Sequence, residues 1–389
     1  MIRPWLAATL AAALAAALTC LPVALQAAAP ADYATLPGAR AMARPLSGNA
    51  APTVVQAMPN DLTAALQALQ RCQAAAGVAC ELERLNHERI TTGAEIRAAL
   101  PDDPHPLFLW RLRRDGTVVY LAGSIHVLKP SLYPLPAPFE AAFRAADHLV
   151  LEVNLAALSE QEIQRQTLSR ARLPTGTTLH GLLPPDLQAA LQAALPAYGL
   201  TLEALDGLRP ALVMNQLVVA RLMSLGYLPD SGLESHFLAR AGTREVLELE
   251  SLEAQLTLLL DQPMDTQLAL LADAVATAPE VEPLLTGLVT AWLSGDDARF
   301  LELFRAQSGD APELAAFQRA LLDDRNVDMA ARIAALLRAP AEAPPATYFV
   351  LVGAAHLVGE AGVVALLEER GFQVERIRSD AKINRRTPT

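Results

Sequence analysis

Two stretches of this sequence repeat one pattern, and the repeat limits the folds that the chain can adopt. Each stretch has an apolar run typical of a buried strand, then Gly-x-x-His, a turn, a helix and a further strand. The first runs from Thr117 to His126, and the second runs from Thr347 to His356. A strand, a helix and a strand in succession predict a parallel crossover unit. The repeat therefore favours an α/β fold in which both histidines follow strands of one sheet.

The sequence between the two repeats is almost entirely helical in pattern. Ala- and Leu-rich stretches run from about residue 155 to residue 345, broken by turns that contain Pro and Gly. One segment, 245–250, alternates in the manner of a strand. We expect an α/β (α+β) domain over residues 105–380, with a mixed central sheet, flanking helices and a large inserted helical subdomain at about 155–345. A tail at 381–389 follows it.

The chain before this domain divides into three parts. Residues 1–27 contain one positive charge and a long Ala- and Leu-rich stretch, which is typical of a secretory signal peptide cut after Ala27. The stretch also approaches the ~20 residues that cross a bilayer, so an uncleaved segment that associates with the membrane is the alternative. Residues 28–58 lack periodicity and predict a flexible leader. Residues 59–104 predict a helical preface.

Export would place the protein in the periplasm or cell envelope, where an even number of cysteines favours pairing. A cut after Ala27 leaves Cys72 and Cys80. Gly77 lies between them, so one predicted helix can fold back on the next, which would begin near Glu81. A Cys72–Cys80 disulfide is one interpretation of this pair, and two buried thiols are the other.

The charge of the chain argues against one class of partner. The formal net charge is −11, and removal of residues 1–27, which carry one positive charge and no negative one, takes it to −12. Proteins that bind nucleic acid neutralise phosphates with clustered lysines and arginines, and this sequence has no basic run. We therefore expect no nucleic acid as a partner.

Each Gly-x-x-His element places a histidine where a strand ends. The chain turns sharply at the carboxyl end of a parallel strand, and glycine tolerates the backbone angles that such a turn requires. Imidazole nitrogen suits divalent transition metals, and a catalytic metal site usually adds a carboxylate. Glu152 is the candidate, because its neighbours form an apolar strand in which an unpaired carboxylate would be costly. The alternative is an ordinary acid at the end of a strand.

Two blocks of the sequence resemble the TraB/GumN family, to which the Tiki proteases also belong. The first block is Tyr120 to Val127 with the run Leu149 to Asn154, and the second is Val352 to Gly359 with its closing helix and strand. Three shorter similarities lie between the blocks, at Ser231 to Glu234, Leu249 to Gln255 and Asp324 to Asn326.

The resemblance to the Tiki branch implies a metal-dependent peptidase, and with it a peptide or small-molecule substrate. Carried onto this sequence, it places His126, Glu152 and His356 on a divalent transition metal such as manganese, cobalt or zinc. Glu250, which ends an apolar extended run, is then the best remaining carboxylate for taking a proton from water.

The resemblance also suggests roles for an Arg-Asn pair. Arg325 would stabilise a developing oxyanion, while Asn326 would orient substrate or a ligand. The alternative for both residues is a role at the end of a helix, where they would bind backbone groups.

Two positions depart from the family pattern. Asn154 stands where relatives often have Asp, and Glu234 stands where an Asp is usual. A second function also fits the resemblance, since TraB- and GumN-type relatives suggest the handling of peptides and a place near polysaccharide functions. The alternative to a hydrolase is therefore a non-catalytic envelope protein that binds a peptide or small ligand.

Overall fold

The computed structural model describes residues 30–306, 312–338 and 344–383. The predicted signal peptide, residues 1–27, and most of the predicted tail, 381–389, lie outside these ranges. Within the ranges, helices surround a mixed central sheet and a second, smaller sheet. The predicted α/β class with a mixed central sheet is confirmed.

The strands of the described ranges belong to a four-stranded sheet near the N-terminus and a six-stranded central sheet. In chain order they are β1 (Ala39–Pro45), β2 (Thr53–Met58), β3 (Cys80–Leu85), β4 (Glu88–Arg89), β5 (Pro106–Arg114), β6 (Thr117–Ser124), β7 (His148–Leu151), β8 (Glu245–Glu248), β9 (Thr347–Gly353) and β10 (Val374–Arg378). The strand order is β2-β1-β3-β4 in the small sheet and β10-β5-β6-β9-β7-β8 in the central sheet.

Most of the α-helices lie between β7 and β9, where the sequence predicted a helical insertion. In chain order the helices are α1 (Asp61–Ala76), α2 (Gly93–Ala98), α3 (Ala137–Ala145), α4 (Glu160–Ala171), α5 (Leu179–Leu182), α6 (Pro185–Ala194), α7 (Leu202–Leu205), α8 (Pro210–Ser224), α9 (Leu233–Leu238), α10 (Leu252–Leu260), α11 (Met264–Thr277), α12 (Val281–Ser294), α13 (Asp297–Arg305), α14 (Pro312–Leu321), α15 (Asp323–Leu337), α16 (Ala354–Leu357) and α17 (Val363–Glu369). Across the described part of the chain, none of them is long and apolar enough to span a membrane.

The N-terminal region contains more strand than the sequence suggested. The expected flexible leader at 28–58 includes β1 and β2, and the expected helical preface at 59–104 includes β3 and β4 beside α1 and α2. β1 pairs antiparallel with both β2 and β3. The buried positions of β1 include Ala41 and Ala43, and alanine is depleted in strands, so this alternation is a weak signal.

A bulge explains why β3 was expected to be a helix beginning near Glu81. Leu82 and Leu85 are both buried although they lie three residues apart, a spacing typical of a helix. The pairing of β3 with β1 shifts by one residue between Arg84 and Leu82, and this irregularity lets both leucines share a face. The local pattern of buried residues therefore predicts a helix where the chain forms the strand β3.

A disulfide joins the end of α1 to the start of β3. Cys72 and Cys80 are bonded, with their Cα atoms 6.1 Å apart, and both side chains are buried. Gly77 ends α1 in the left-handed conformation with φ 67°, which reverses the chain between the two cysteines. The predicted disulfide is confirmed.

The central sheet combines an antiparallel hairpin with parallel strands. The two-residue turn Asp115-Gly116, with φ 47° and 83°, joins β5 to β6 as the sequence indicated. β6 then pairs parallel with β9, which pairs parallel with β7. The insertion supplies β8, which pairs parallel with β7 at the edge of the sheet. The strands of the two sequence repeats are therefore neighbours at the centre of the sheet.

Candidate active site

The two Gly-x-x-His motifs meet because their strands are paired. In the parallel register of β6 and β9, Ser124 lies opposite Gly353, so both strands end at one edge of the sheet. His126 follows β6 directly, and His356 lies in α16, which begins at the residue after β9. Trp292 of α12 donates its indole N–H to the carbonyl oxygen of Gly123 at 2.9 Å, so this helix is anchored at the end of β6.

The side chains of the three predicted metal ligands lie around Gly353. A Cβ atom built on Gly353 would lie 3.3 Å from Oε1 of Glu152, 3.4 Å from Cδ2 of His356 and 3.5 Å from Nε2 of His126. Because one position lies this close to all three side chains, they form a single cluster. Residues from both ends of the domain are thus brought together at the edge of the sheet.

His126 is held through its Nδ1 atom. This atom lies 2.9 Å from Oε1 of Glu234, and the hydroxyl of Ser124 donates a hydrogen bond to the same carboxylate. Burial acts to lower the pKa of His126, but the Glu234 carboxylate outweighs it and raises that pKa to about 9. Nε2 of His126 is buried without a hydrogen-bond partner among the described residues.

His356 is held in the same manner by an amide. Its Nδ1 lies 2.7 Å from Oδ1 of Asn326, and Nδ2 of Asn326 donates to the carbonyl oxygen of Ala361 at 2.8 Å. Burial lowers the pKa of His356 to about 3, although the Glu152 carboxylate acts in the opposite direction. Nε2 of His356 is also buried without a partner in the described ranges.

This pattern is the one that metal-binding histidines usually show. A ligating histidine donates its second ring N–H to a carboxylate or carbonyl oxygen, which fixes the tautomer and the orientation of the ring. Glu234 and Asn326 supply such oxygens at the two Nδ1 atoms. Both Nε2 atoms remain for another partner, and both histidines line one cavity of about 100 Å³.

Glu152 is buried and already accepts hydrogen bonds at both oxygens. Oε1 accepts from the backbone N–H of Gly353 at 2.6 Å, and Oε2 accepts from Nη2 of Arg325 at 2.7 Å. Burial acts to raise the pKa of Glu152, but His356 and Arg325 outweigh it and lower that pKa to about 2. Glu152 is therefore ionised at neutral pH, with Arg325 balancing its charge.

Arg325 connects Glu152 to Glu250. Its Nε lies 2.8 Å from Oε1 of Glu250, and its Nη2 lies 2.5 Å from Oε2. Gln255 donates to Glu250 at 3.2 Å and to Glu152 at 3.3 Å. We expected Glu250 to take a proton from water and Arg325 to stabilise an oxyanion. Both oxygens of Glu250 accept from Arg325, which is also paired with Glu152, and the two catalytic roles remain predictions.

The cluster falls short of a complete three-ligand metal site. Among the described residues, no group of three or more His, Cys, Asp or Glu side chains is arranged to hold a metal ion. The two histidines suit a transition metal, because each has a nitrogen without a partner among the described residues and a ring held in a fixed orientation. Both oxygens of Glu152 already accept hydrogen bonds from N–H donors. The expected ligands His126, Glu152 and His356 are therefore neighbours, and their binding of a metal remains a prediction.

Glu234 has a role that the sequence did not predict. It stood out only as a departure from the usual Asp, yet it holds the ring of His126. A Cβ on Gly232 would lie 2.1 Å from the carbonyl oxygen of His126, so glycine is needed where this segment approaches the β6 end. In the sequence, the Gly-x-Glu spacing of Gly232 and Glu234 was the signal that could have indicated this role. The other departure, Asn154, donates to the carbonyl oxygen of Val246 at 3.3 Å and so links the end of β7 to β8.

Comparison with known proteins identifies several relatives of this chain. The metalloprotease TIKI1 of Danio rerio is 26% identical to this chain over 341 residues, which cover 75% of this chain and 67% of that protein. The uncharacterized protein YbaP of Escherichia coli strain K12 is 26% identical over 255 residues, which cover 64% of this chain and 87% of that protein. The metalloprotease TIKI homolog of Nematostella vectensis is 23% identical over 332 residues, covering 71% of this chain and 68% of that protein. No solved structure matches the chain.

The family comparison covers nearly all of the central sheet. The profile of the TraB/PrgY/gumN family matches residues 108–376, which are more than half of the chain and include both Gly-x-x-His motifs. This chain therefore belongs to the TraB/PrgY/gumN family.

Proposed function

We propose that this chain is an exported, metal-dependent hydrolase that acts on peptides, with His126 and His356 as metal ligands and Glu152 beside them. The pair of Nε2 atoms carries the proposal, since both are buried, lack partners among the described residues and belong to one cavity. A buried polar atom without a partner costs free energy, and a bound cation would remove that cost. Two of the relatives are named metalloproteases.

The surrounding residues have clear tasks under this proposal. Glu234 and Asn326 hold the imidazoles, so that each Nε2 is left for the cation. Glu152 contributes a negative charge next to both rings, which would favour a cation there. A bound divalent transition metal such as manganese, cobalt or zinc would polarise the carbonyl group of the substrate.

Export is part of the same proposal. The sequence of residues 1–27 supports it, as does the Cys72–Cys80 disulfide, because structural disulfides persist mainly in oxidising compartments. We place the protein in the periplasm or cell envelope. Cell fractionation with N-terminal sequencing of the purified protein tests this placement, and a cytosolic protein that keeps its first residues would contradict it.

Metal analysis tests the ligands. His126→Ala and His356→Ala should each lower the transition metal that elemental analysis finds in protein purified without chelators, because each removes one of two free Nε2 donors. Circular dichroism should show that both variants remain folded. His180→Ala is the matched control, since this exposed histidine lies outside the cluster and its loss should leave the metal content unchanged. Wild-type metal content in both site variants would show that these ligands are wrong.

Peptide turnover tests the reaction. Mixed peptides incubated with the protein and Mn²⁺, Co²⁺ or Zn²⁺ should be cleaved, and a chelator should abolish the cleavage. Mass spectrometry of the products identifies the bonds that are broken. Absence of cleavage with each of the three metals would exclude the proposed activity.

A non-catalytic role in peptide binding is the second candidate, and one observation favours it. Against the effect of burial, His356 and Arg325 lower the pKa of Glu152 to about 2, so this carboxylate is a weak base for taking a proton from water. Stable peptide binding without turnover in every metal would support this second function.

A further inference from the structure

We infer that the cavity beside the two histidines is a selectivity pocket that receives one bulky apolar side chain of the bound peptide, next to the bond that is cleaved. This inference rests on the proposed peptidase function and specifies the substrate class. Three features of the described residues carry it: the lining of the cavity, its size, and the cleft onto which it opens.

The lining is almost entirely apolar. The strand ends that carry His126 and His356 form one side of the cavity. Of the described residues that line it, only Ser124 and these two histidines have polar side chains. The opposite side comes from the helical insertion, through the side chains of Leu285, Leu288, Phe300, Phe304, Leu321 and Leu322.

A charged side chain would be costly in this position. No Lys, Arg, Asp or Glu is present among the described lining residues, so a buried charge would lose its hydration without an ionic partner. His126 would not balance such a charge under the proposed function, because its Nδ1 is paired with Glu234 at 2.9 Å and its Nε2 would bind the cation. Leucine, methionine and phenylalanine meet no such cost and would bury apolar surface instead.

The size of the cavity fits one side chain. Its volume is about 100 Å³. For comparison, an apolar cavity of roughly 150 Å³ holds a molecule of benzene. The cavity here is smaller than that, so it has room for one side chain of about the size of leucine and for only part of a phenylalanine ring, whereas an extended peptide needs more room.

A larger cleft adjoins the pocket and offers that room. Phe304, Leu322 and Ala355 line both spaces, so the two are adjacent. The second cleft has a volume of about 360 Å³ and includes the polar side chains of Gln318 and Arg319. A peptide can therefore place its backbone in the polar cleft and one apolar side chain in the pocket beside the histidines.

Peptide series test this assignment. Peptides that differ at one residue, as Gly, Ala, Leu, Phe, Asp or Lys, are incubated with the full chain and Mn²⁺, and kcat/KM is measured by mass spectrometry. We expect Leu and Phe to exceed Gly, Asp and Lys by about 10- to 100-fold, which is the discrimination that an apolar pocket achieves.

Two variants change the pocket in opposite directions. Ala355→Leu reduces its volume and should lower kcat/KM for the Leu and Phe peptides by at least about tenfold, with less effect on the Ala peptide. Phe304→Ala enlarges it and should reduce the preference for Leu over Ala. Leu268→Ala is the matched control, because this residue lines a separate surface groove beside α6 and should leave the preference unchanged. Phe304→Leu is the conservative alternative if Phe304→Ala does not fold.

A binding measurement separates this inference from the proposed activity. Fluorescence anisotropy of the same peptides, labelled and mixed with the protein in chelator, reports the preference without turnover. Preferential binding of Leu and Phe peptides, weakened by Ala355→Leu, would support the pocket even if no metal produced cleavage. Cleavage with no apolar preference, or with a preference that both pocket variants retain, would overturn the pocket and leave the peptidase intact. No cleavage and no selective binding would overturn both.

Discussion

At the scale of single residues, the site is shaped by a glycine, which has no side chain. Gly353 follows the buried residues of β9, and the space where its Cβ would lie is bordered by Glu152, His126 and His356. Its φ is −51°, a value that alanine also adopts, so a side chain here would act through the space it fills, where its Cβ would lie close to Oε1 of Glu152 and in contact with both imidazoles. The glycine of the second Gly-x-x-His motif therefore leaves the space in which His356 lies beside Glu152 and His126.

Gly353→Ala should impair the site without unfolding the protein. The added methyl group would occupy the position 3.3 to 3.5 Å from the three side chains, which would displace a bound cation or shift the rings. Misplacement by about 1 Å in a catalytic site lowers activity by about 100-fold, and we expect a smaller loss here because the contacts require only a small shift of Glu152. Metal content, kcat/KM and melting temperature are the measurements.

Gly207→Ala is the matched control for this substitution. A Cβ on Gly207 would meet no atom within 4 Å, so this variant adds a methyl group in open space. It should retain the metal content and activity of the wild type. If Gly353→Ala behaves in the same way as Gly207→Ala, the cluster around Gly353 is not the site.

At the scale of elements, the small sheet depends on the covalent link between α1 and β3. The Cys72–Cys80 bond closes a short loop between two buried positions. In the chain-entropy account, a loop of this length stabilises the folded state by about 2.5 kcal/mol, because the bond restricts the unfolded chain.

Reduction of this bond should therefore lower the free energy of unfolding. Urea titrations of the wild type with and without reductant should differ by about 2.5 kcal/mol. The double variant Cys72→Ala/Cys80→Ala should show the lower stability in both conditions and no response to reductant. A wild-type protein whose stability is the same in both conditions would contradict this role for the disulfide.

At the scale of the whole molecule, a buried lysine connects the two sheets. Lys129 lies in the loop after β6, and its Nζ donates to the carbonyl oxygen of Thr91, between β4 and α2. The same ammonium group lies 4.6 Å from the centre of the Tyr227 ring, and the residue is 2% exposed. Burial lowers the pKa of Lys129 to about 8, although Glu282 acts in the opposite direction.

This pKa predicts that stability rises with pH in the alkaline range. Between about pH 8 and pH 10.5, the unfolded chain still binds the proton of Lys129, whereas the folded chain has lost it. The contribution of Lys129 to the free energy of unfolding should therefore increase from pH 8 to pH 10, by up to about 3 kcal/mol. Below pH 8 both states are protonated, and this contribution is constant.

Lys129→Met should remove that rise, because methionine has no proton to lose. Urea titrations at several values from pH 7 to pH 10 provide the measurement. Lys382→Met is the control, since Lys382 is exposed and its variant should keep the rise of the wild type. Equal pH dependence in wild type and Lys129→Met would show that the buried ammonium has no such effect.

Several features of the fold were predictable because their causes are local. The Asp115-Gly116 hairpin turn, the apolar strand before Gly353 and the chain reversal at Gly77 each depend on residues that are adjacent in sequence. The N-terminal strands were not predictable in this way. The burial of Ala41 and Leu82 depends on a bulged pairing between β1 and β3, which no local pattern indicates.

The sequence by itself determined the elements of the central sheet, the family of the chain and the two strand ends where His126 and His356 occur. The tertiary structure decided which atoms of those residues remain free. Glu234 and Asn326 occupy the two Nδ1 atoms, and Arg325 binds the carboxylate of Glu152. These pairings join residues that are far apart in the chain. They form where helices pack on the sheet and exclude water, because the same groups would bind solvent if they were exposed.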